Sequence, residues 1–350
     1  DLTGANLDGA SLRGTNLADV RLGCGDENAL LLEGRARARC ASARRADVTG
    51  ARLTRANLTG IDLSRATLEQ ADLRGAVLQQ AIVVGADISR ADLRKADLTA
   101  GVAGQGAKFL VTRLEGANLT GAQLQGADFS NAQLQAATLS YAQFEGAVLR
   151  DADLTGALLH KAGLRGANLG GARIAAADLR EAVVWMTKPP SRDDAAFADM
   201  RGMVLQPLSS DALDALKEAV RSVASAEVRS SVTEAVKPLL TTAKSDWSLS
   251  PDYSQWQLLI DQSATAAAAS DEFRNGLTLY LESQLCKARW SDGSVAEGIA
   301  RRAKAPGFSG DLAAIHMGLT ANAATCPAAG NVDPVILQDL ATAVEARVGR

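Results

Sequence analysis

The chain has 350 residues, with 37 Lys plus Arg against 40 Asp plus Glu, a net charge of −3 and 4% aromatic side chains. This length leaves room for two domains, and the near balance of charge excludes a strongly basic or strongly acidic surface spread over the whole molecule. No stretch approaches the ~18 consecutive apolar residues of a membrane span, and no signal peptide is visible.

From residue 2 onward a large apolar side chain recurs at every fifth position, through Leu2, Leu7, Leu12, Leu17 and Leu22, with Ala5 and Ala10 as small residues two places earlier. A helix cannot use this period. At ~100° per residue a step of five turns the side chain through ~500° and leaves successive leucines ~140° apart. A straight strand cannot use it either, because alternation would send Leu7 and Leu12 to opposite faces. Both face one interior only if the chain turns a corner within each unit, so the repeat predicts a solenoid.

The rhythm first fails at "GCGDENALLLEGRARARCASARR", which predicts an insertion loop at about 23–45 bounded by Cys24 and Cys40. The loop sets Arg35, Arg37, Arg39, Arg44 and Arg45 beside Leu30, Leu31 and Leu32. Two readings fit: a solvated loop folded over one face, or an interaction patch for acidic lipid head groups, nucleic acid or a partner protein. As a disulfide, Cys24 to Cys40 would close a ~15-residue loop worth ~3 kcal/mol; the alternative is two free thiols.

The period resumes from Val48 to Leu98, fails again at "AGVAGQGAK", and then runs unbroken from Phe109 to Val184. The second break predicts a loop at about 100–107. Leu98 to Phe109 is a step of 11, one more than two units, so a single residue is inserted there. "GVAGQG" lacks the Lys-Ser/Thr ending of a P-loop, and the segment after it reads as more solenoid where that motif needs a helix.

The commonest unit, A(D/N)LxG, as in "GANLT" and "RADLRKADLTA", resembles the pentapeptide-repeat family over about half of the chain. The resemblance implies an all-β, right-handed quadrilateral β-helix with four units per coil, the large residue and the preceding Ala pointing inward. Asp72, Asp87, Asp92, Asp97, Asn118 and Asp128 would then face solvent between the inward positions. The family's best-known activity is imitation of DNA by acidic rods that bind gyrase. Residues 1–187 hold 20 acidic and 21 basic side chains, a net of +1, which does not support that alternative.

The repeat domain is expected to end at 187, because Pro189 and Pro190 cannot supply ladder hydrogen bonds. Residues 188–207 read as an exit linker or cap, with Phe197 and Met203 covering the open end. From 208 to 350 the period is helical and predicts an α-helical bundle. Helices are expected behind Ser210 as N-cap, from Glu227 to Leu240 with a disturbance at Pro238, and after the Ser250–Pro251 start. Others follow in "SDEFRNGLTLYLESQLCKARW", behind a Ser294–Glu297 capping box, from Asp311 to Ala323 and from Asp333 to Val348. Cys286 and Cys326 stand where a bridge would pin two helices. The four cysteines read as two disulfides, which would favour an extracytoplasmic location, or as free thiols.

His160 and His316 lie in different regions, and neither has a Cys, Asp or Glu partner at metal spacing. No GxSxG elbow is present, and carboxylates such as Asp151 and Asp153 stand where the repeat puts them. The expectation is therefore no catalytic, metal or cofactor residue and no enzyme; an enzyme would need a deep polar pocket between tail and rod. The Trp-containing exit and cysteine-bearing tail resemble some larger bacterial proteins that carry the array after membrane segments. The chain opens at Asp1 in mid-unit, which points to an upstream continuation that could hold a membrane anchor. Together these features suggest a membrane-associated scaffold or protein–protein interaction module with protein partners and no nucleic acid.

Overall fold

The computed structural model describes residues 1–24, 40–99, 103–241, 247–268, 271–287, 290–305, 307–308, 310–320 and 326–348. Each five-residue unit turns a corner. In Leu119–Ala122 the Leu119 carbonyl accepts from the Ala122 N–H at 3.1 Å, and Gly121 between them has a φ of 69°. That is the left-handed position of a type II turn, which glycine takes without a Cβ penalty.

The residue ahead of each leucine clamps the same corner. Asn118 Oδ1 accepts from the backbone N–H of Thr120 at 3.3 Å and from its hydroxyl at 2.7 Å. Asp128 does the same for Ser130 at 2.9 and 2.6 Å, and Asp97 for the Thr99 N–H at 3.0 Å. Side chains expected merely to face solvent thus form Asx-type turns, which explains why Asp and Asn recur there.

Coils stack through parallel bridges between residues 20 apart, as in Asn118–Thr138–Leu158–Asp178, so four units make one coil. Between Ile82 and Ala103 the offset is 21, which accommodates the single inserted residue. The ladder is present from Ala103 onward, so residues 103–107, expected to lie in the loop, belong to the solenoid. Gly104 occupies a large-residue position because its neighbours fill it: a methyl there would stand 2.9 Å from Leu124 Cδ2. Below it the tube is packed by Phe109 and Phe129, stacked at 4.4 Å, with Phe144 edge-on to Phe129 at 5.7 Å.

The ladder also continues past residue 187. Lys188 pairs with Asn168, Asp199 pairs with Asp178, and strand β1 (Val183–Val184) runs parallel to β2 (Val204–Leu205). The stretch expected to be an exit linker is a further coil with Ala198, Met200 and Met203 buried. Its prolines are tolerated because the neighbouring Lys188 makes the ladder bond, donating its N–H to the Ala167 carbonyl. Phe197, expected to cover the open end, is instead 38% exposed at a corner.

Helix α3 (Pro251–Ala268) closes that end. Trp256 is fully buried, and its Nε1 donates to the Thr187 carbonyl at 2.9 Å. Ser263 Oγ donates to the Ala198 carbonyl and accepts from the Met200 N–H, at 2.9 and 2.8 Å.

Six further α-helices are present among the described residues: α1 (Ser210–Arg221), α2 (Ala226–Thr241), α4 (Asp271–Leu285), α5 (Ser294–Lys304), α6 (Leu312–Thr320) and α7 (Pro334–Val348). The α1 cap is Ser209, one residue before the expected Ser210. α2 runs through Pro238. The Ser294–Glu297 box does not form: Asp292 holds the Ser294 N–H and hydroxyl, while Glu297 turns to Lys95 and the Asp333 N–H. The expected last turn of α6, through Ala323, lies outside the described residues.

The helices do not form one bundle. α4 to α7 share a core containing Leu277, Leu281, Ile299 and Ile315, α1 and α2 share a smaller one, and Trp256 and Leu259 of α3 belong to the solenoid core. The cysteines pair as Cys24–Cys40 and Cys286–Cys326. The second bond ties the segment after α4 to the one after α6.

Val111, β-branched and 45% exposed, has a φ of 56°. Val111→Asn should raise the unfolding free energy by ~0.5–1 kcal/mol, since Asn tolerates that conformation. Gly121→Val, at a corner where an added Cβ meets nothing within 4 Å, should lower it by ~1–2 kcal/mol through backbone strain alone. Urea unfolding of both variants checks the pair.

Candidate interaction surface

The left-handed corner residue of each unit points outward, and residues one coil apart form rows along the rod. Two rows are small throughout their central coils. One is Gly85, Gly106, Gly126, Gly146 and Gly166; the other, half a coil away, is Gly116, Ala136, Gly156 and Ala176. The intervening rows carry Arg90, Val111, Asn131 and Asp151 on one side and Tyr141, Lys161 and Glu181 on the other, all exposed.

Helix α2 lies along the all-glycine row. A methyl at Gly106 would stand 2.9 Å from Val228 and 3.0 Å from Val232, at Gly126 3.3 Å from Val232 and Ala235, at Gly146 2.6 Å from the Ala235 carbonyl oxygen, and at Gly166 3.2 Å from Leu239. The match has a geometric cause. A helix advances ~5.4 Å per turn and neighbouring coils are ~4.8 Å apart, so a slightly tilted helix drops one residue onto each successive corner. At Gly146 any side chain would displace the α2 backbone.

Helix α5 occupies the opposite row. Ser294 packs on Gly116, and Gly298 meets the Ala136 carbonyl so closely that a Cβ has no room. Arg301 donates to the Gly116 carbonyl and Arg302 to the Ala176 carbonyl. Both guanidiniums are buried, and that burial lowers their pKa, to about 10 for Arg302. At the start of α5, Lys95 bonds Glu297 at 2.9 Å and the Asn331 carbonyl at 3.1 Å, and Arg94 bridges Asp92 and Asp292. Burial acts to raise the Asp292 pKa, but the Ser294 N–H and hydroxyl and the charges of Arg94 and Lys95 outweigh it and hold the pKa down.

The predicted arginine patch is only partly in view. Arg35, Arg37 and Arg39 lie outside the described residues. Arg44 pairs with Asp8 at 3.0 Å and stands 3.8 Å from Asp62. Arg45 and Arg65, one coil apart, line a cleft of about 570 Å³ with Arg44 and Ser225, and Arg65 pairs with Glu227 at 2.7 Å. The described part of the patch is thus interleaved with carboxylates.

Two other features stand at the surface. Tyr141 is 52% exposed, with the His160 ring edge-on at 5.9 Å and Lys161 Nζ 5.9 Å above it. Glu181 lies 3.3 Å from Lys161 and 3.9 Å from His160. At the closed end, a cleft of about 490 Å³ opens between the last coil and helices α3 and α4, with Phe197, Met200, Leu259 and Phe273 in its walls and Arg192 and Glu272 beside them.

Five-residue units wound four to a coil, with Ala and Leu inside and Asx clamps at the corners, define a repeat protein of the β-solenoid class. The model of the pentapeptide repeats family matches eight copies, over residues 1–24, 35–70, 61–99, 112–151 and 148–184. HetL, a pentapeptide repeat protein involved in heterocyst differentiation regulation from the cyanobacterium Nostoc sp. strain PCC 7120, is 31% identical over 55% of this chain and 86% of its own, with a TM-score of 0.28. Full-length QnrB1, a plasmid-mediated fluoroquinolone resistance protein, is 17% identical over 60% of this chain and 98% of its own, with a TM-score of 0.30. A pentapeptide repeat protein from the Arabidopsis thaliana thylakoid lumen is 25% identical over 45% of this chain and 88% of its own, with a TM-score of 0.18. No curated protein matches the sequence. The chain belongs to the pentapeptide repeat family.

Gly146→Val combines the corner strain of Gly121→Val with a collision against α2. It should cost ~1–3 kcal/mol more than Gly121→Val and should speed tryptic cleavage after Arg229, as limited proteolysis of the two variants would show.

Proposed function

We propose that the chain is a non-enzymatic scaffold, a right-handed four-sided solenoid that holds its own helices on two corners and offers the other two to protein partners. The observation that carries this reading is the division of the corner rows. In the central coils the corners under helices are Gly or Ala, whereas the uncovered rows, although they include Gly121 and Gly171, also carry Tyr141, Lys161, Glu181, Arg90, Val111, Asn131 and Asp151. A rigid wall has little backbone entropy to lose on binding, and an exposed Tyr beside a lysine is the kind of group that anchors protein interfaces.

The setting proposed is a bacterial protein that is membrane-associated or extracytoplasmic. Two disulfides support an oxidising compartment. No helix among the described residues is long and apolar enough to cross a membrane. A gyrase-directed role gains no support from charge, because the uncovered corners mix Arg90 and Lys161 with Asp151 and Glu181.

Cross-linking in native membranes followed by affinity capture tests the scaffold reading. The wild-type chain should retain a protein that Tyr141→Ala/Lys161→Glu loses by tenfold or more and that Gly121→Asn retains. Equal capture by the wild type and both variants would remove the proposed surface.

A further inference from the structure

Beneath α2 the solenoid carries a column of polar residues one coil apart: Gln105, Gln125, Glu145 and Arg165. The amides are linked to the next coil, Gln105 to Gln123 at 2.9 Å and Gln125 to Gln143 at 2.8 Å. The pattern fails at Glu145, because Gly163 stands where the partner would be. Glu145 Oε1 lies over that glycine, 2.5 Å from where a methyl would be. Glu145 Oε2 and Gln125 Oε1 are both buried with no hydrogen-bond donor.

The two acceptors stand one coil apart in the same column, where the Gln125 side chain interacts with the Glu145 carboxyl, and a proton shared between them would supply the missing donor. An ionised Glu145 leaves both unsatisfied, whereas a protonated one can donate its O–H to Gln125 Oε1 and satisfy both. The site lies under the next residue, Gly146, on which the Ala235 carbonyl and Val236 of α2 sit. We propose that protonation of Glu145 holds helix α2 on the glycine row, and that ionisation loosens α2 and exposes that row together with Val228, Val232, Val236 and Leu239.

The surrounding charges leave the carboxyl in command of this equilibrium. In the next coil Arg165 is the cation nearest in effect, but it makes no ion pair with Glu145 among the described residues, and its Nε donates to the Gln206 carbonyl at 2.9 Å. On α2, Glu234 and Lys237 pair with each other in solvent. Burial raises the Glu145 pKa to about 7, against the opposing pull of its own backbone N–H, the Arg165 charge and the Gln125 side chain. A raised carboxyl pKa stabilises the docked state below the pKa of the free side chain, and the gain is lost as pH climbs through the raised value. The window therefore lies between about pH 4.5 and 7.

The inference goes beyond the scaffold reading and needs no partner, so either can fail alone. Hydrogen exchange of residues 226–241, corrected for intrinsic pH dependence, should show protection falling at least tenfold between pH 5 and pH 8 in the wild type. It should stay flat in Glu145→Gln, with α4 serving as the internal reference. Each unit of pKa displacement corresponds to a tenfold change in the docking equilibrium. Protection that is flat in both proteins, or that falls equally in both, would overturn the proposal. A direct carbon-13 titration of the Glu145 carboxyl in the wild type gives an independent check: a midpoint near 4.5 contradicts the proposal even if the variant does not fold.

Discussion

Everything in this molecule depends on one backbone constraint, a left-handed residue at every fifth position. It turns the chain through a corner, lets the leucine before it and the alanine after it face one interior, and forces its own side chain outward. Because the same geometry recurs each coil, the outward residue belongs to a row that runs the length of the rod. The inside of the tube is therefore nearly indifferent to partner, while the rows decide what can lie against the wall. A glycine corner both relaxes the turn and admits a helix, so backbone ease and helix docking reinforce each other on the two small rows.

The helical region has cores of its own, and that wall decides where its helices lie. α2 reaches the glycine row through Val228, Val232, Ala235 and Leu239, whereas α5 is held by polar contacts: Lys95 to Glu297, Arg94 to Asp292, and two arginines on corner carbonyls. Those arginines illustrate the cost of such an interface. The Nε atoms of Arg301 and Arg302 are buried without acceptors, so the backbone carbonyls must compensate for incomplete solvation of the charge. α3 uses a third mode, closing the tube with a buried indole whose N–H meets the Thr187 carbonyl.

Much of this was legible from sequence. The period of five, the single inserted residue before Phe109, the Ser250–Pro251 start and most helix limits follow from local rules that the structure obeys. The last coil was less visible because Pro189 and Pro190 read as an end, although Met200 and Met203 keep the apolar supply going. The Ser294–Glu297 box failed for a tertiary reason: Lys95, some two hundred residues earlier, takes the glutamate. The docking surface left a signal that a period of five conceals. Only when corner residues are aligned at a spacing of 20 do Gly126, Gly146 and Gly166 separate from Asn131, Asp151 and Tyr141. Glu145 had no local mark at all, since its isolation comes from Gly163 on the coil above and α2 outside.

The central claim is that the helical region lies alongside the solenoid on its small corner rows and does not extend from it as a tail. Small-angle X-ray scattering of the whole chain measures this directly. A docked arrangement predicts a radius of gyration of ~20–24 Å, close to the scaling for a compact body of this length. A value above ~30 Å, as two bodies set end to end would give, would contradict the account.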